Sequence, residues 1–154
     1  MEKESLAGIL AGQPFLQGLQ PQQVDLIVGC ASNVRFEPGE LVFRAGDEAN
    51  HFYVVRSGRV SVEVIAPQYG AITIETVGEG DLLGWSWLIP PFQWHFDARA
   101  LNLTRAIALD ARCLRGKCDA DPALGYELLK RFAQVMEQRL EATRLQLLDL
   151  YVNA

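Results

Sequence analysis

The chain has 154 residues, 49% of them hydrophobic and 21% charged, with a net charge of -5. That length supports one domain with a core of its own, and the composition is globular rather than disordered. The acidic balance, with Lys and Arg scattered, argues against direct nucleic-acid binding, which wants a basic face. The N-terminus, Met1-Glu2-Lys3-Glu4-Ser5, lacks the basic-then-apolar order of a secretory leader. The longest uncharged apolar run, residues 82–96, is too short to span a bilayer and holds two prolines. A cytoplasmic protein without membrane contact is the expectation.

Residues 1–33 read as N-terminal helices, with Pro21 suited to a helix start and Val24, Leu26, Ile27 and Cys30 near one face. Residues 34–110 read as β. Short alternating or β-branched runs are cut by Pro38-Gly39, Gly46-Asp47, Ser57-Gly58, Gly70 and Gly78-Glu79-Gly80-Asp81. Strands of this length and spacing suggest an antiparallel barrel or jelly roll. After Gly84 the chain reads as a short helix that Pro90-Pro91 stops. Trp85, Trp87 and Trp94, all the tryptophans of the chain, lie here with His95. Free N–H groups at a helix start favour anions, but the neighbours are aromatic.

Residues 111–154 return to helix. Asp110 and Asp121 are placed as caps, and Pro122 takes a first helical position. The last helix runs to about Tyr151 with two apolar stripes. Leu128, Phe132 and Val135 form one, facing the barrel. Leu129, Ala133, Met136, Leu140, Thr143, Leu147 and Leu150 form the other, spaced alternately by four and three as in a coiled-coil seam. A second apolar face needs a second partner, and a copy of the same helix gives a two-fold homodimer. Cys30, Cys113 and Cys118 are odd in number, which argues against a disulfide framework. They read as reduced, buried thiols, with a redox or iron–sulfur role as the alternative.

Two segments carry a resemblance. Phe36-Glu37-Pro38-Gly39-Glu40-Leu41-Val42-Phe43-Arg44-Ala45-Gly46-Asp47 with Phe52-Tyr53-Val54-Val55-Arg56-Ser57-Gly58-Arg59-Val60 resembles the start of the cyclic nucleotide-binding domain family. Gly80-Asp81-Leu82-Leu83-Gly84 resembles the entry to its phosphate-binding cassette, and Met136-Glu137-Gln138-Arg139-Leu140-Glu141-Ala142-Thr143 the dimer helix of its bacterial regulators. The resemblance implies an eight-stranded antiparallel jelly roll with N-terminal helices and a long C-terminal dimerisation helix. It carries over the sensor and dimer parts and not the DNA-reading domain, because the sequence stops at Ala154.

The chemistry departs from that family. The resemblance implies a Glu after the cassette glycine, binding a ribose hydroxyl, and an Arg that pairs with the cyclic phosphate. Trp85 stands at the first position and, counting back from Asp97-Ala98-Arg99-Ala100, Trp94 at the second, with His95 next. Charge-assisted hydrogen bonds are worth about 1.5–3 kcal/mol each. A helix dipole contributes about 0.3–1 kcal/mol and does not replace them. Cyclic AMP binding is expected to be weak or absent. Gly84, Trp85, Ser86, Trp87, Trp94 and His95 are the candidate ligand residues. Thr143 matches a family position that touches the base across the dimer seam, and Arg144 lies beside it.

Two functions stay open. The first is a non-catalytic sensor that binds a planar or weakly anionic effector in the jelly roll and signals through its dimer helix. The second is a ligand-free dimerisation or interaction module, its pocket filled by tryptophan and its output carried by a separate protein. No cofactor is implied. His51 and His95 are too few for a cupin-type metal site, and no haem-attachment motif occurs.

Overall fold

A computed structural model describes residues 6–153. Residues 1–5, on which the reading of no secretory leader rests, and residue 154 lie outside the described part. Two helices open it: α1 (Leu6–Ala11) and, after a 3-10 turn at Pro14–Leu16, α2 (Pro21–Val28). Pro21 does begin α2. Gln20 and Gln23 close a reciprocal capping box at its start, and Val24 and Ile27 are buried.

Eight strands follow: β1 (Ala31–Phe36), β2 (Leu41–Phe43), β3 (His51–Ser57), β4 (Val60–Ala66), β5 (Gly70–Val77), β6 (Leu82–Leu83), β7 (Asp97–Ala100) and β8 (Thr104–Asp110). They form two antiparallel four-stranded sheets, ordered β1-β8-β3-β6 and β2-β7-β4-β5, which is a jelly roll. β1 begins at Ala31, earlier than the period in the sequence suggests. The sixth strand, β6, has two residues and is not read as a strand in the sequence, because so short a run has no period. Between β3 and β4, Gly58 takes φ +95°, and a Cβ there would sit 2.6 Å from the Leu103 carbonyl oxygen. Only glycine makes this tight a return.

Two helices close the chain, α3 (Ala111–Ala120) and α4 (Pro122–Val152). Asp110 caps α3 by accepting from the Cys113 N–H at 2.8 Å, and Asp121 caps α4 by accepting from the Leu124 N–H at 3.3 Å. The larger core lies between the helices and the β1-β8-β3-β6 sheet and includes Leu10, Leu16, Ile27, Phe52, Ile107, Leu114, Leu124 and Phe132. A smaller core of Val55, Val60, Val62, Val77, Leu83 and Ala98 fills the jelly roll. No described helix is long and apolar enough to cross a membrane.

The cysteine reading is corrected. Cys30 and Cys113 are joined by a disulfide, their Cα atoms 5.7 Å apart. Pairing of Ala31 with Leu109 sets the residue before β1 beside the first turn of α3, so positions 83 apart in sequence meet. An odd count leaves room for one bridge and one free thiol. That thiol, Cys118, is half-buried, and burial pushes it up, away from reactive thiolate character. Three further ties hold α3. Lys117 donates to the Leu26 carbonyl at 2.5 Å, Arg115 donates to the Trp87 carbonyl at 2.6 Å, and Arg115 also lies over the Phe92 ring.

Candidate functional site

The chain turns at Gly84 with φ +96°, a region that side chains other than glycine rarely adopt. A Cβ on Gly84 would lie 2.5 Å from the Trp94 ring. The indole of Trp94 therefore rests directly on the cassette glycine. It stacks on Phe43 with centroids 3.8 Å apart and planes 7° from parallel, and it is only 6% exposed.

The expected helix after Gly84 is a single 3-10 turn, Ser86–Leu88, whose first backbone groups receive no side-chain cap. One such turn lacks the aligned peptide dipoles that give a longer helix its anion preference. The Pro90-Pro91 peptide is cis.

The three indoles are not one cluster. Trp94 covers the cassette. Trp87 is fully buried beneath it, stacked on Phe52 at 4.7 Å and edge-on to Phe132 at 5.4 Å. Its indole N–H meets no acceptor among the described residues. Trp87 is a core residue, which corrects its place among the ligand candidates: the 3-10 turn aims it inward, away from the pocket mouth. Trp85 points the other way, to α4, where the Arg139 guanidinium lies 4.9 Å from its ring centroid.

The cavity that remains has a volume of about 60 Å³. Gly84, Trp85, Ser86, Trp94 and His95 line it, as the sequence suggests, together with Phe43, Glu75 and Arg139. Thr143 and Arg144 do not. Within one chain the Thr143 hydroxyl donates back to the Arg139 carbonyl at 2.8 Å, and Arg144 is exposed near Glu141. The reading of Thr143 is one of contact across a seam, so it belongs to an assembly and not to the single chain. Arg99 is better engaged than a solvated strand residue: it donates to the Gly39 carbonyl at 2.9 Å and faces Glu63 at 3.6 Å.

Arg139 lines the candidate site, and sequence reasoning did not place it there. Its Nε meets a Glu75 carboxylate oxygen at 2.8 Å, and its guanidinium donates to the Leu82 carbonyl in β6. One α4 side chain thus touches β5, β6 and Trp85. Burial pulls the guanidinium below its usual value, against Glu75 and Asp81, which favour its charge. Burial also raises the Glu75 carboxyl, with Arg139 opposing. A signal for Arg139 did exist: positions 128, 132 and 135 form the buried stripe, and 139 continues its four-three spacing. A charged residue on a buried stripe needs a partner.

The site is thus a glycine-entered cassette between strands of a jelly roll, closed by a long C-terminal helix. The cyclic nucleotide-binding domain profile matches residues 33–121, and the chain belongs to that family. It is 27% identical over 142 residues to a CRP-like cAMP-activated global transcriptional regulator of Mycobacterium tuberculosis, covering 92% of this chain and 62% of that protein. The chain thus spans under two thirds of the length of that relative. A putative cyclic nucleotide-binding protein from Geobacter metallireducens superposes with a TM-score of 0.80 at 23% identity, over 89% of this chain and 99% of that one. The regulatory subunit of a cAMP-independent protein kinase A from Trypanosoma brucei, solved as a mutant bound to cAMP in its A site, superposes at 0.69 and 23% identity, over 90% of this chain and 49% of that one. These two structures share the fold.

Proposed function

We propose that this chain is a regulatory, non-catalytic domain whose nucleotide pocket is closed by its own side chains. It acts as a dimeric interaction module through α4. The volume of about 60 Å³ carries this reading, because sites for small molecules and cofactors run to about 300–1,000 Å³. Trp94 occupies the ground that a phosphate would need, and the cation nearest the cavity, Arg139, is already committed to Glu75 and a carbonyl.

The second half of the reading rests on α4. Leu129, Leu140, Leu147 and Leu150 are each more than half exposed on the single chain, an unusual density of bare leucine for one helix. Pairing α4 with a second copy covers that seam. A separate protein then carries the output.

An effector sensor is the second reading. Its supporting observation is the rim, where Trp85 is half-buried and His95 exposed beside Trp94, a surface on which a flat molecule stacks once Trp94 moves aside. Calorimetry with cyclic AMP and cyclic GMP, run beside sedimentation, separates the readings. We expect no heat from either nucleotide and a stable dimer at micromolar protein. Micromolar cyclic AMP binding refutes the closed pocket, and a monomer refutes the seam.

A further inference from the structure

Strand pairing brings together three arginines that stand far apart in the sequence. Arg35 in β1 lies directly opposite Arg105 in β8. On the other side of β8, the register of β3 shifts between Val55 and Ser57, and Arg56 is the extra residue of that bulge. Its guanidinium reaches across β8 and donates to the Asn33 amide oxygen in β1 at 3.2 Å. Alternation fixes the face. Arg105, Ile107 and Leu109 share one side of β8, and Ala31, Asn33 and Arg35 one side of β1. On this side Ile107, Leu109 and Ala31 pack into the larger core beneath the helices. At the other end of the same face Asn33, Arg35 and Arg105 are exposed.

Little on the chain answers this charge. The Arg35 guanidinium meets Glu37 at 2.7 Å, but the two side chains are 59% and 60% exposed, a setting in which an ion pair is worth little. Arg56 has a neutral partner, Asn33. The Arg105 side chain makes no hydrogen bond or ion pair among the described residues. Three guanidinium groups thus share one carboxylate, on a chain whose net charge is -5. Like charges directly opposite one another weaken a sheet. Charge on an edge strand guards against unwanted pairing, which accounts for Arg35 on β1. Arg105 gains nothing that way, because β8 is an inner strand.

We infer that this face is the docking site for an acidic segment of a protein partner. Arginine suits carboxylates, because its planar fork matches both oxygens. The surface is open strand and lines neither cavity, so it fits a macromolecule rather than a small anion. Directly opposed side chains start about 4.5–5.5 Å apart, and carboxylates one turn apart on a helix stand about 5–6 Å apart. Two acids at i and i+4 therefore reach Arg35 and Arg105 together, with Arg56 beside them. Nucleic acid is the poorer match: so small an excess of positive charge on an acidic chain does not make the basic stripe that a phosphate backbone needs. The inference gives the chemistry of the separate output protein, and only to that extent rests on the interaction-module reading.

The test is fluorescence anisotropy of labelled, alanine-rich helical peptides with the whole chain. One peptide carries Glu at i, i+4 spacing and another Gln at the same places, and a short DNA duplex is run beside them. We expect sub-millimolar binding of the Glu peptide at low salt, none of the Gln peptide, and affinity that falls as salt rises. Arg105→Gln should weaken binding about fivefold, with a urea midpoint at or above that of the parent. Arg35→Gln, Arg56→Gln and Arg105→Gln combined should abolish it. Arg44→Gln, which removes the same charge from an exposed position just after β2, should leave it unchanged. No binding of the Glu peptide, equal binding of the Gln peptide, an equal loss in Arg44→Gln, or a duplex bound as tightly overturns the site. So does an Arg105→Gln chain with a lowered urea midpoint and unchanged binding. A monomer in sedimentation would refute the α4 seam and leave this face standing.

Discussion

Gly84→Ala is the sharpest perturbation the site allows. Two costs arise. The first is backbone strain: φ is +96° at this residue, and holding a side-chain-bearing residue in such a region costs about 1–3 kcal/mol. The second is steric. The new methyl falls 2.5 Å from the Trp94 ring, and that ring is pinned by Phe43 behind it. Overpacking of this kind costs about 1–3 kcal/mol. The sum is about 2–6 kcal/mol of a stability that for most domains is about 5–15 kcal/mol. A cycle with Trp94→Ala separates the two costs. Trp94→Ala alone loses about 3–5 kcal/mol, but in that background the methyl has nothing to strike and only strain remains. Urea unfolding of the four proteins should show a coupling of about 1–3 kcal/mol. Additive losses would mean that Trp94 does not rest on Gly84, and the closed pocket would lose its geometry.

Three further outcomes follow from the structure. Arg139→Gln leaves Glu75 without its partner. Both side chains keep some exposure, 18% and 31%, so the loss in urea unfolding should be about 1–2 kcal/mol rather than that of a fully buried pair, with a change in Trp85 emission. In carboxyl-resolved NMR titration, Glu75 should titrate above an ordinary glutamate and Glu127 below it. The signs differ: Glu127, held down by Arg131 and Lys130, contributes stability above the ordinary carboxylate range that is lost as pH falls through its folded value. Glu75, held up by burial, carries a penalty above its folded value that is relieved as pH falls through it. Glu127→Gln should therefore flatten the acid limb of stability. Finally, thiol titration of the unfolded, unreduced chain should find one free thiol, and Cys30→Ser should cost about 2–5 kcal/mol in urea unfolding.

Much of the architecture was legible because its signals are local. Glycine turns divide the strands, Asp110 and Asp121 announce their helices, and the four-three stripe of α4 separates a barrel face from an exposed face. Leu128 and Phe132 are indeed buried and Leu129 and Leu140 bare. The features that escaped are contacts between distant segments. Cys30 meets Cys113 only after β1 and β8 have paired. Arg139 acquires its role only when β5 supplies Glu75 and β6 a carbonyl. Trp85, Trp87 and Trp94 look alike as a cluster in sequence, yet one turn of 3-10 geometry sends Trp85 and Trp87 in different directions, and Trp94 lies beyond Pro90-Pro91. Spacing cannot show that, because the turn is too short to have a period.

The fastening of α3 has a mechanical consequence. A disulfide and Lys117 bolt this helix to the N-terminal segment, and Arg115 grips the backbone of the 3-10 turn next to the cassette. Cassette, α3 and α2 are thereby tied into a single bracket, and the chain passes from that bracket into α4 at the Asp121 cap.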